Sequence, residues 1–185
     1  MARTESNLMP LGISAPDFSL PDTRSDETLS LSDVQGELAT VIMFICNHCP
    51  YVKHIKSEIA RLASDYQSRG VAFAAISSND VAQYPADGPD KMKETAKKWK
   101  FKFPYLYDES QEVAKAYDAA CTPDIYVFDN SLKLVYHGQL DESRPDNKNP
   151  ITGRDIRMAL DSLVAGVAVS KDQTSSVGCN IKWKG

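Results

Sequence analysis

A chain of 185 residues with 42% hydrophobic and 25% charged residues is long enough to bury a full core as one domain. Its net charge of −4 gives no electrostatic footprint for nucleic acid, and no run approaches the ~18 apolar residues of a membrane span. Met1 to Asn7 lack the apolar core of a secretory leader, so the chain reads as cytoplasmic, with its four cysteines mostly reduced at rest.

In chain order, residues 8–38 are a turn-rich entry punctuated by Gly12, Pro16, Pro21 and Gly36, with Leu29 and Leu31 spaced for a short strand or turn. The run 39–45 is too short for a helix and rich in β-branched and large apolar residues, which predicts a buried strand. From Pro50 the apolar positions Val52, Ile55, Ile59, Leu62, Ala63 and Tyr66 recur at helical spacing. This helix has Pro50 in its first turn and stops at Gly70. Residues 71–76 predict a second buried strand, so strand, helix and strand form a parallel βαβ unit with a right-handed crossover.

Pro85, Gly88 and Pro89 mark a loop before a basic helix ending near Trp99, whose lysines, Lys91 to Lys102, form a solvated face. Ser110 caps a short helix through Tyr117. Residues 125–128 and 133–137, divided by Asp129-Asn130-Ser131, predict a hairpin. A last helix starts at Thr152 and ends at Gly166. The polar tail reads as mobile. A single domain, 1–185, is expected, with a core at about 10–166 and a tail at 167–185.

Cys46-Asn47-His48-Cys49-Pro50 falls at the junction of the first buried strand and the first helix. A sulfur there meets unpaired helix N–H groups and the positive end of the macrodipole, which favour the reactive thiolate. The alternatives for this pair are a metal half-site or two unrelated core thiols. A zinc knuckle needs four ligands, and no second C-x-x-C or H-x3-H pair is present, so the redox reading leads. A partly protonated His48 between the two cysteines would lower the pKa of Cys46, although an exposed loop imidazole is the plainer reading. Cys121 reads as a packed apolar residue or as an accessory thiol. Cys179 is inert, or reaches Cys121 or a second chain. His54 and His137 are expected to face water.

Three segments resemble the thioredoxin-like redoxins, including the TlpA-like and peroxiredoxin groups: Ala15-Pro16-Asp17-Phe18-Ser19-Leu20, Cys46-Asn47-His48-Cys49-Pro50, and Thr122-Pro123 before the hairpin. Thr152-Gly153-Arg154-Asp155 and Gly178-Cys179-Asn180-Ile181-Lys182-Trp183 are similar to a subgroup that bears the CNHCP motif. The resemblance implies an α/β thioredoxin fold, β-α-β then β-β-α, with an N-terminal extension, a helical insert and a C-terminal tail. It implies that Cys46 attacks a disulfide, that Cys49 resolves the mixed disulfide, and that Thr122 with a cis Pro123 forms the substrate platform.

Two departures matter. Thioredoxins carry a tryptophan before the first cysteine and a buried acid six positions before it, where this chain has Ile45 and Thr40. The peroxiredoxin pattern P-x-x-x-T-x-x-C, aligned on Cys49, meets Ile42 and Cys46 instead. The expected function is thiol–disulfide exchange through the Cys46–Cys49 dithiol, with no dissociable cofactor and no metal. Expected partners are protein or small-molecule disulfides and thiols and a reductase, with neither nucleic acid nor membrane. The second reading is a thiol peroxidase. The third is a copper-handling module using Cys46, Cys49 and His137.

Overall fold

The computed structural model describes residues 3–185. A short strand β1 (Arg3–Glu5) and a small hairpin, β2 (Ser19–Pro21) with β3 (Thr28–Ser30), precede the first core strand. Strand β4 (Ala39–Phe44), helix α1 (Pro50–Tyr66) and strand β5 (Val71–Ser77) then form the expected parallel βαβ unit, in register from Ala39 against Val71 to Phe44 against Ile76. Helix α2 (Pro89–Lys98), strand β6 (Tyr105–Tyr107), helix α3 (Glu112–Ala116) and a two-residue strand β7 (Cys121–Thr122) follow. The hairpin β8 (Asp124–Asp129) and β9 (Leu134–Gly138), helix α4 (Arg154–Val164) and strand β10 (Val177–Asn180) complete the chain.

The central sheet has the order β6-β5-β4-β8-β9, with β6 parallel to β5 and β8 antiparallel to β4. Every residue of β4 is buried, because this middle strand is covered on both faces. Strand alternation sorts its side chains into two cores. Val41 and Met43 face Val52, Ile59 and Leu62 of α1, Met92 of α2, and Ile156 and Leu160 of α4. Ile42 and Phe44 face Val113 and Ala114 of α3, and Phe18 and Leu20 of the entry segment. Each such fully buried aliphatic or aromatic side chain stabilises the fold by roughly 1.5–3 kcal/mol over an exposed one. No helix among the described residues is long and apolar enough to cross a membrane.

A buried carboxylate ties the first and last helices. Glu58 of α1, 2% exposed, accepts hydrogen bonds from Arg157 of α4 at 2.7 and 3.0 Å and is also paired with Arg61. Full desolvation without these partners would cost the anion several kcal/mol, so the pairing fixes the register of the two helices.

The structure overturns several expectations. His137 is 1% exposed rather than facing water: its Nδ1 accepts from the Met9 amide at 3.3 Å, and its Nε2 bonds Asp124 at 2.8 Å. The entry segment lies over that strand end and excludes solvent. His54 is half-buried and bonds Ser143 Oγ at 2.7 Å. The tail is stitched down rather than mobile: β10 pairs with β1 on one side and β7 on the other, and Lys182 N donates to Asn79 Oδ1 at 2.9 Å. The last helix begins after Gly153, at φ +65°, and the Asp141 carboxylate accepts the Thr152 and Gly153 amides at 2.7 Å each.

Candidate redox site

Strand β4 delivers Cys46 to the end of the sheet, and Cys49 occupies the position before Pro50, the first residue of α1. No acidic residue lies in the first turn of α1, so the partial positive charge of its N-terminus is uncompensated by the helix itself. Cys46 and Cys49 are 1% and 0% exposed, so the dithiol is buried rather than presented as an exposed nucleophile. The Thr122–Pro123 peptide is cis and lies against the pair. Thr122 O stands 3.2 Å from Cys49 Sγ, and Thr122 Oγ1 stands 3.5 Å from Cys46 Sγ.

The two residues between the cysteines are held by Asp87, which lies in the loop marked by Pro85, Gly88 and Pro89 but carries no sequence signal of its own. Asp87, wholly buried, accepts the Asn47 amide at 2.8 Å and the His48 amide at 3.2 Å through Oδ1. Its Oδ2 bonds His48 Nδ1 at 2.5 Å and accepts Asn79 Nδ2 at 2.9 Å. Asn47 donates through Nδ2 to the Ala86 carbonyl at 2.8 Å and accepts from Tyr105 Oη at 3.0 Å. His48 also stacks on Tyr84 with ring centroids 5.1 Å apart, and its Nδ1 lies 3.8 Å from Cys46 Sγ. Burial acts to raise the Asp87 carboxyl, but the hydrogen bonds from His48 and Asn79 prevail and hold it below the usual carboxylate range.

A third sulfur completes the centre. Cys179 Sγ lies 2.8 Å from Cys49 Sγ, and Cys179 is 3% exposed. Interaction with Cys179 and then with Cys46 draws the Cys49 pKa down to about 2, against burial and with smaller help from the Val52 backbone and the Thr122 side chain. The reciprocal effect pushes Cys46 up, helped by burial and by the charge on Asp87. Cys179 is pushed up by Cys49 and by burial, and Cys121 by burial and the neighbouring Asp124. The three sulfurs therefore form one interacting group at the helix N-terminus, with Cys49 drawn down and Cys46 and Cys179 pushed up.

These shifts fix the alkaline behaviour of the reduced protein. A thiol whose folded pKa is raised stabilises the fold below its unfolded value near ~8.5, and that contribution is lost as pH rises beyond it. Cys46, Cys121 and Cys179 belong to this class, whereas the contribution of Cys49 is already complete there. Denaturant midpoints should fall above pH ~8.5, with each thiol adding a slope of about −1.4 kcal/mol per pH unit. A flat profile to pH ~10 would contradict this assignment.

Among the described residues, the group able to offer three ligand atoms to a metal is Cys46, His48 and Asp87, whose donors lie within 4.8 Å of one another. His137 is not part of it, since both its ring nitrogens are engaged by Met9 and Asp124. The copper reading therefore loses the histidine it required. The structure brings together Cys46, His48, Cys49, Thr122 and Pro123; Cys121 is buried alongside, with its sulfur turned to Pro123 O at 3.5 Å. Asp87 and the contact between Cys49 and Cys179 lay beyond sequence reasoning.

A mixed sheet built as β-α-β and β-β-α, with two cysteines at the start of its first helix and a cis proline opposite, defines a redoxin of thioredoxin fold. The chain belongs to the AhpC/TSA family, which it matches over residues 11–137. It is similar along its whole length to an uncharacterized conserved protein from Geobacillus kaustophilus, at 58% identity and a TM-score of 0.98, covering 100% of this chain and 97% of that one. A hypothetical protein from Sinorhizobium meliloti 1021 is 43% identical, with a TM-score of 0.95 and 98% of each chain covered. The fold is shared with the thioredoxin domain of a thiol-disulfide oxidoreductase from Bacteroides vulgatus, at 18% identity and a TM-score of 0.60, over 75% of this chain and 92% of that one. No curated protein matches the sequence.

Proposed function

We propose that this redoxin is a thiol–disulfide oxidoreductase in which Cys46 and Cys49 alternate between dithiol and disulfide. The observation that carries the reading is the pair of interacting thiols at the N-terminus of α1, facing the backbone of Thr122. Cys46 lies on the side of half-buried His48, while Cys49 is enclosed by Thr122 and Cys179, so Cys46 is the sulfur that meets a client. The Cys46 sulfur attacks one sulfur of the client disulfide, whose S–S bond breaks as the departing client sulfur takes up the Cys46 proton. The Cys49 thiolate then attacks Cys46, closes the intramolecular disulfide and releases the second client thiolate. The client gains two electrons, and the Cys46–Cys49 pair loses two.

The low pKa of Cys49 keeps the resolving sulfur ionised, a state that thioredoxins reach with the help of a buried carboxylate. Resolution is fast because both sulfurs already sit in one site. A reducing dithiol partner would restore the starting state, and in a reducing compartment such as the cytoplasm that state is the dithiol. The near-complete burial of both sulfurs favours small disulfides over folded protein clients.

The same burial is the specific observation that favours a second reading, a thiol peroxidase, since hydrogen peroxide needs little access. The two are separated by measuring, at limiting protein, the rate constants for a small disulfide and for hydrogen peroxide, with peptide mapping of the oxidised product. Thiol–disulfide exchange predicts the larger constant with the disulfide and a Cys46–Cys49 bond in the product. A peroxide constant at least tenfold larger would transfer the assignment to the peroxidase.

A further inference from the structure

The proposed exchange uses two of the four thiols, yet the chain holds a third against them. Strand β10 enters the backbone edge next to the dithiol: Cys179 pairs with Thr122 and Asn180 with Cys121. On its other side Arg3 pairs with Cys179. The platform that in this fold would receive an extended client is therefore already occupied by a segment of the same chain. Its seat is close-fitting, because a β-carbon at Gly178 would lie 1.9 Å from Thr122 O and 2.5 Å from Thr122 C. Only glycine lets the two backbones approach this far. Beyond the strand, Ile181 N donates to Ala120 O at 3.1 Å, which fixes the position of Cys179 from the far side.

A cysteine serving as a small apolar residue would need only ordinary nonbonded contact, at ~3.5–4.0 Å between heavy atoms. The 2.8 Å between Cys179 and Cys49 is well inside that range. We propose that Cys179 is a third redox thiol that exchanges with the Cys46–Cys49 disulfide, so that β10 acts as a client strand built into the chain. The inference rests on the proposed Cys46–Cys49 exchange and extends it.

In the step, Cys179 gives up its proton and its thiolate attacks Cys49 Sγ. The Cys46–Cys49 bond breaks, a Cys49–Cys179 bond forms, and Cys46 leaves as a thiolate that takes up a proton. One disulfide is exchanged for another, and no external oxidant or reductant enters. The nearby Lys182 ammonium favours the Cys179 thiolate, while the burden of a charged Cys49 is absent once Cys49 is in a disulfide. The exchange returns Cys46 to the thiol state on the His48 side while the oxidising equivalent is kept inside, bonding the start of α1 to β10.

The test uses the full-length chain with Cys46→Ser and, separately, Cys179→Ser, each oxidised with a diazene such as diamide and mapped by mass spectrometry after non-reducing digestion. Circular dichroism verifies that both variants are folded. Cys46→Ser should lose two hydrogens and yield joined Cys49 and Cys179 peptides in at least half of the molecules. Cys179→Ser should form the Cys46–Cys49 bond and keep it, since the third sulfur is no longer present to take it over. If Cys46→Ser yields free, alkylatable Cys179 while Cys179→Ser still forms Cys46–Cys49, the relay is overturned and the dithiol reading stands. If Cys179→Ser forms no Cys46–Cys49 bond, the dithiol reading itself is lost. For the unchanged protein, timed acid quenching after oxidation should capture both disulfides, with the Cys49–Cys179 fraction growing as Cys46–Cys49 declines; a single unchanging connectivity overturns the relay.

Discussion

Replacing Cys46 by serine should slow reduction of a small disulfide by roughly 10³-fold or more, because a hydroxyl at that position neither ionises near neutral pH nor forms the mixed disulfide. Cys49 cannot substitute for it: Cys49 is completely buried, with Thr122 O at 3.2 Å and Cys179 at 2.8 Å around its sulfur. Cys49→Ser should behave differently. It leaves the attacking sulfur and removes the resolving one, so the protein should accumulate a Cys46 mixed disulfide with the client, visible as a mass increase. Retention of more than a tenth of the exchange rate by Cys46→Ser would show that another sulfur makes the first attack.

The second large effect concerns a residue that never touches the client. Asp87→Ala should cost about 3–5 kcal/mol of stability, the usual consequence of removing one member of a buried charged network. The carboxylate is fully buried and receives the Asn47 and His48 amides, the His48 ring and Asn79. Without it, two backbone N–H groups of the dithiol loop lose their acceptor, each at ~1–3 kcal/mol. The charge on Asp87 also pushes Cys46 up, so the variant's Cys46 should titrate lower than in the unchanged protein. Urea denaturation measures the first effect and pH-dependent alkylation the second. A loss below ~1 kcal/mol would mean that water replaces the carboxylate at little cost.

What could be read from the sequence was what local periodicity encodes. Helix α1 runs from Pro50, as its first-turn proline and apolar spacing require, and the chain turns at Gly70 with φ +83°. The apolar runs of β4 and β5 and the hairpin of β8 and β9 are likewise local patterns. Strand β6 escaped because three residues between Pro104 and Asp108 are too few to display a period, and β5 specifies it from across the sheet. Strand β10 escaped for a related reason. Val-Gly-Cys-Asn has no alternating apolar face, and it is a strand only because β1 and β7 lie on either side of it. The site divides the same way. Cys46 and Cys49 announce themselves by spacing and Pro123 by the resemblance to the redoxins, whereas Asp87 reaches the dithiol loop only after the chain has closed around β5. The strand pattern places His137 outside because it does not reveal that Met9 and Asp124 engage its ring.

The position of β10 in the middle of its small sheet also determines how the centre could be opened. An edge strand can be peeled away one bond at a time, but an interior one is released only when the ladders on both flanks rupture together. Residues 3–5 therefore help to hold Cys179 in place from far away in sequence. Shortening or capturing that amino-terminal ribbon, rather than touching any cysteine, offers a handle for exposing the reaction centre to bulky clients.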